Sequence, residues 1–264
     1  MLKSRAPATV PATLPPLTRR MLGWEIIVVF AVSLGASALF AIINLIGSLT
    51  APKALRQQQA LLVGSLAPGR PLLDLTLQLA SILTTLAPVA LVFYLLAREG
   101  EGPAALGIDT TRPASDLARG ALIAAVIGGS GLALYVAAYR LGISLNVVPE
   151  NLPAVWWRVP VLVLDAAQNG ILEEVLVLGY LLRRLDQLGW APGKAIALAA
   201  VVRGSYHLYQ GFGGFVGNAI LGVIFGVLYR RWGRVTPMII AHTLIDAGAF
   251  VGYAVLHGHV SWLP

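Results

Sequence analysis

Eight polar side chains lie in stretches that are otherwise apolar enough for lipid. Gln168, Asn169, Glu173 and Glu174 fall in DAAQNGILEEVLVLGY, Arg203 and His207 in VVRGSYHLYQG, and His242 and Asp246 in MIIAHTLIDAG. An ionisable side chain at mid-bilayer costs at least about 2.5–3.5 kcal/mol on insertion scales. Groups retained there need a partner or a purpose. Two imidazoles with a nearby carboxylate can bind a divalent metal or hold a water by hydrogen bonds, and a glutamate beside that water can take its proton. Such a group hydrolyses amides. No HExxH motif occurs, so the contributing residues must come from separate helices.

Their spacing supports convergence. Residues four apart share a helix face, which pairs Asn169 with Glu173, Arg203 with His207, and His242 with Asp246. Three helices thus each carry a polar face, and turning those faces together avoids exposing them to lipid. Adjacent Glu173 and Glu174 diverge by roughly 100° around a helix. One is expected at the reaction centre and the other paired to Arg203. The competing reading is an ion-paired network that only glues helices together; three matching faces favour a site.

The positioning elements follow from hydropathy. With 264 residues, 57% hydrophobic content and a mean hydropathy of +0.78, the chain has more apolar side chains than a soluble domain of its size can bury. Apolar runs predict seven membrane helices at 24–49, 72–97, 117–141, 155–185, 194–210, 212–229 and 235–256. The fold class is therefore an all-α polytopic bundle, with the polar site among spans four, five and seven. Its regions are a basic Pro-rich tail (1–23), a three-helix membrane region (24–154) and a four-helix core (155–264). The first run is too long for a signal peptide and reads as a retained helix. Gly213 with Gly217 and Gly222 with Gly226 give GxxxG spacings expected at close helix packing.

Of the nineteen Lys and Arg, thirteen fall in the loops that share a side with the N-terminus, five on the other side, and Arg203 within a span. The positive-inside rule then predicts a cytoplasmic N-terminus and an outer C-terminus. The net charge of +7 comes from residues scattered through these loops, so no nucleic-acid partner is expected. With no cysteine, thiolate metal sites and disulfides are excluded. His257 and His259 read as solvated tail residues.

At its polar residues the sequence resembles the intramembrane CAAX-prenyl-protease and bacteriocin-processing family (CPBP or Abi), over about residues 155–255. That family has a glutamate pair opening an EExxxR pattern, a histidine ending FxxxH on the next helix, and a later HxxxN or HxxxD. Glu173 with Glu174, His207, and His242 with Asp246 fall in that order. The resemblance implies a bacterial plasma-membrane endopeptidase acting on a peptide or membrane-protein substrate. Glu173 would activate water, His207, His242 and Asp246 would position it or hold a divalent metal such as zinc, and Glu174, Arg203 and Asn169 would support them. Two positions depart from the pattern: Leu178 stands where the arginine is expected, and Arg203 where the phenylalanine is. This suggests that the guanidinium has moved to the neighbouring helix. A proton-coupled transporter and a non-catalytic membrane scaffold or partner protein are the rival classes.

Overall fold

A computed structural model describes residues 17–256. Most of the N-terminal tail, and His257 and His259, lie outside the described residues. The chain forms helices α1 (Arg19–Ala31), α2 (Leu34–Thr50), α3 (Pro71–Thr85), α4 (Ala87–Arg98), α5 (Pro113–Arg140), α6 (Arg158–Glu173), α7 (Leu182–Gln187), α8 (Pro192–Ser205), α9 (Phe212–Trp232) and α10 (Thr236–Leu256). A π-wound segment, Glu174–Leu181, joins α6 to α7 without a break. The predicted helical membrane bundle is present. Strands β1 (Gln59–Val63) and β2 (Asn146–Glu150) add a two-stranded parallel sheet, in register from Gln59 opposite Asn146, inside segments expected to be loops.

The expected seven spans are not all met. Among the described residues, four helical stretches are long and apolar enough to cross a membrane: 71–98, 113–140, 212–232 and 236–256. The run expected as a single first span bends by 54° between α1 and α2 and makes a fifth when the pair is counted together. At the bend the Ser33 hydroxyl donates to the Val29 carbonyl at 2.5 Å, which diverts that carbonyl from the helical ladder. The second predicted span is interrupted at Leu86, two residues before Pro88, which has no N–H for the ladder. Helix α8 has only fourteen residues; at about 1.5 Å per residue it falls short of the roughly 30 Å hydrocarbon layer. Helix α6, the π segment and α7 together form a column with Glu173, Glu174 and Arg184 inside the protein.

Two crossings place the column against its neighbours. At Gly170 a methyl group would stand 2.7 Å from Thr243 Oγ1 and 3.0 Å from the Ile239 carbonyl, so α6 and α10 touch backbone to backbone there. At Gly222 it would stand 2.9 Å from Ala200 Cα and 3.2 Å from Arg203 Cδ, which draws α9 onto α8. Ile196 lies against Gly226 one turn on, so the second of the GxxxG pairs marks close packing as its spacing implied. The apolar core between these crossings includes Val175, Leu176, Leu178, Phe225 and Met238, all without exposure.

Basic residues gather at one end. Arg184, fully buried, donates from Nε to Glu25 at 2.7 Å and from Nη1 to Glu99 at 3.0 Å, tying α7 to α1 and to the end of α4. Arg183 pairs with Glu101, and Arg230 reaches Asp186 at 2.5 and 2.7 Å. Arg234, between α9 and α10, reaches Asp116 at 2.6 Å and Asp109 at 3.0 Å. Its hydrogen bonds hold the Asp109 carboxyl well below the usual carboxylate range. That contribution is present at neutral pH and is lost as pH falls through the depressed value. At the other end Arg158 pairs with the buried Glu150 at the end of β2.

Asp116 is buried, so removing its guanidinium leaves an uncompensated charge. Arg234→Ala is expected to cost about 3 kcal/mol and to lower the thermal midpoint in detergent by roughly 6–12 °C. Arg234→Lys, which keeps the charge but not the fork, is expected to lose less.

Candidate active site

Glu173 is the last residue of α6 and Glu174 the first of the π-wound segment. Winding of this kind is rare and occurs often at functional sites. It also alters the meaning of Leu178. With i→i+5 bonds, a residue four positions beyond Glu174 no longer stacks above it, and Leu178 sits fully buried in apolar core. The positive charge comes from α8 instead. Arg203 Nη1 donates to Glu174 Oε1 at 2.7 Å, and Nη2 lies 3.3 Å from Glu173 Oε2 and 3.2 Å from His242 Nδ1. Arg203 and Glu174 are both fully buried, and the expected pairing of the two across the helix interface is present.

His242 and Asp246, one turn apart on α10, face this pair. His242 Nδ1 is 2.8 Å from Glu174 Oε1, and Nε2 is 3.4 Å from Asp246 Oδ2. Both ring nitrogens are thereby engaged with carboxylates. Asn169 turns to Asp246, its Nδ2 at 3.4 Å from Oδ2, and Gln168 donates to Asn169 Oδ1 at 3.1 Å. The shared face of Asn169 and Glu173 thus serves two different partners.

His207 departs from expectation in its backbone. Helix α8 ends at Ser205, so His207 lies just beyond the helix at the start of a short turn, Leu208–Gln210, and the supposed common face with Arg203 does not exist. The turn is tied outward: Leu145 N donates to the Gln210 carbonyl at 3.0 Å, beside the start of β2. The Gln210 side-chain amide lies 3.3 Å from His207 Nδ1 and donates to the Tyr209 hydroxyl at 3.0 Å. His207 Nε2 is buried, makes no hydrogen bond among the described residues and faces Glu173 Oε1 at 3.7 Å. At 3.7 Å the two atoms are just beyond direct hydrogen-bond reach.

Sequence reasoning missed Tyr206, Tyr209 and Gln210. Tyr206 is 5% exposed, and its hydroxyl donates to Glu173 Oε2 at 2.8 Å. The available signal was the polarity of Tyr206 and Gln210 beside His207 in an apolar run, the same signal that exposed the histidine.

The residues grouped closely enough to hold a divalent ion are not the expected set. His207, His242 and Asp246, the expected ligands, do not form one cluster; among the described residues the ligand atoms within 4.8 Å of one another belong to Glu173, Glu174 and His242. Arg203 bonds one oxygen of each glutamate and supplies positive charge beside them, while Glu174 Oε2 makes no hydrogen bond among the described residues. These three residues could hold a divalent ion, with the guanidinium as a competing source of charge.

Residues 155–248 match the family of type II CAAX prenyl endopeptidase Rce1-like proteins. The match covers every residue of the site and bears out the family resemblance seen in the glutamate pair and the two histidines. It indicates an integral membrane protein with a protease kind of activity. No curated protein and no solved structure matches the chain.

Coupling between Arg203 and Glu174 is measurable in a double-mutant cycle. Arg203→Leu and Glu174→Leu are each expected to cost about 3–5 kcal/mol by stranding the partner charge, and the double variant clearly less than their sum. Additive losses in thermal stability would show that the two are not coupled.

Proposed function

We propose that the protein is an intramembrane endopeptidase that hydrolyses a peptide bond with water activated by Glu173 and without a resident metal. The observation that carries this reading is the facing of Glu173 Oε1 and His207 Nε2 at 3.7 Å inside a buried polar cluster. The family match over 155–248 supplies the class of reaction. In keeping with the family's description, a prenylated CAAX protein or peptide is the substrate class proposed for it.

In this mechanism water binds between Glu173 Oε1 and His207. Glu173 takes a proton from the water as its oxygen attacks the scissile carbonyl carbon. The oxyanion that forms accepts a hydrogen bond from His207 Nε2–H. Protonated Glu173 then gives its proton to the departing nitrogen as the C–N bond breaks, which leaves a carboxylate on one product and an amine on the other. Arg203 places positive charge beside both carboxylates, Glu174 and His242 hold Arg203 in place, and Asp246 with Asn169 supports His242. The gathering of Arg19, Arg98, Arg183, Arg184 and Arg230 at the ends of their helices supports a cytoplasmic orientation for that end and for the N-terminus, in a bacterial plasma membrane.

The test is cleavage of a quenched-fluorescent prenylated peptide by purified protein in lipid nanodiscs. Glu173→Ala is expected to lower turnover about 10²- to 10⁴-fold and His207→Ala about 10²- to 10³-fold, with thermal midpoints little changed. Turnover unaltered in both variants would eliminate Glu173 and His207 as the reacting pair, and a wild-type protein without turnover would favour a polar core that joins helices or carries protons. EDTA and 1,10-phenanthroline are expected to leave the rate unchanged. Inactivation by chelator with recovery on adding zinc would instead establish a metal requirement.

A further inference from the structure

Glu173 has two carboxylate oxygens, and only one of them faces His207. The other, Oε2, accepts from the Tyr206 hydroxyl at 2.8 Å and lies 3.3 Å from Arg203 Nη2. A carboxylate held at one oxygen by two donors cannot rotate without breaking both bonds, so Oε1 is kept toward His207. The same tyrosine touches the second partner: its ring and the His207 imidazole have centroids 4.8 Å apart and planes inclined by 44°. Tyr206 sits at the C-terminal cap of α8, directly before the turn that carries His207. A buried phenol in this position needs an acceptor, and the one it has is the proposed base.

We infer that Tyr206 is the positioning residue of the reaction: its hydroxyl fixes which oxygen of Glu173 meets the water, and its ring fixes the imidazole opposite. It touches neither water nor substrate. Arg203 supplies charge to both glutamates, whereas Tyr206 supplies direction to Glu173 alone. Loss of the hydroxyl leaves the ion pairs intact and lets the carboxylate turn, so it affects the chemical step and not substrate binding. The inference rests on Glu173 acting as the base.

Tyr206→Phe keeps the ring and removes only the hydroxyl. With the prenylated peptide reporter, kcat is expected to fall about 10- to 30-fold at unchanged KM, the loss expected of a misoriented catalytic group and not of a weakened site. Tyr206→Leu, which also removes the ring beside His207, is expected to fall further. Incorporation of 3,5-difluorotyrosine at 206 preserves packing and tests the hydrogen bond even if the phenylalanine variant is unstable. Its more acidic phenol draws more charge from Glu173, and kcat is expected to drop several-fold with KM again unchanged. Wild-type kcat in both the phenylalanine and the difluorotyrosine proteins, while Glu173→Ala abolishes turnover, would overturn the role of Tyr206 and leave the protease reading standing. Full activity of Glu173→Ala would overturn that reading itself.

Discussion

The buried guanidinium of Arg203 is the constraint around which the rest is arranged. Two adjacent carboxylates inside a lipid-embedded bundle repel each other and are poorly solvated, and neither can be kept ionised without a fixed cation nearby. Arg203 meets Glu174 at 2.7 Å and Glu173 at 3.3 Å from two nitrogens of one planar fork. To reach both it must approach along α8, so α8 is drawn close to the column and to α9, which explains the small residues at Ala200 and Gly222. His242 completes the cluster from the third side, and Gly170 lets α10 come near enough for it to do so.

The division of labour between the two glutamates follows from that fork. Glu174 has no exposure and is bonded to both Arg203 and His242, so it has little freedom to engage a substrate. Glu173 keeps 8% exposure and turns one oxygen to His207. Burial and hydrogen bonding thus give two chemically identical side chains different surroundings, one fully buried and one with an oxygen turned to His207. Arg203 takes Glu174 Oε1 and Glu173 Oε2, which leaves Glu174 Oε2 without a hydrogen bond among the described residues and Glu173 Oε1 turned toward His207.

Much of this was legible in the residues. The apolar runs gave the bundle, and polar residues in unfavourable surroundings gave Glu173, Glu174, His207, His242 and Asp246, because lipid makes such residues conspicuous in a way that water does not. Pairing of Arg203 with Glu174 followed from charge balance alone. What hydropathy could not show was backbone geometry. The bend at Ser33 depends on one hydroxyl turning back onto a carbonyl, and Leu178 lost its expected meaning because the helix changes winding at Glu174. His207 was expected on a helix face, but α8 ends two residues earlier. Tyr206 escaped notice because a tyrosine in an apolar run is unremarkable until its hydroxyl is seen to have a buried carboxylate as acceptor. The β1–β2 sheet was hidden in segments too short and too rich in Gly and Pro to show alternation.

The π-wound segment also separates two halves of one column. Glu173 is placed from the α6 side by the crossing at Gly170, while Arg184 is placed from the α7 side by Glu25 and Glu99. Between them lie eight residues whose wider winding sets the angular phase of one half against the other. A single-residue deletion there would return the segment toward ordinary helical phase and rotate the charged collar relative to the reactive glutamates, without altering the composition of either. The spacing between Glu174 and Arg184 is therefore a structural parameter in its own right, as specific to this chain as the identities of the residues at its ends.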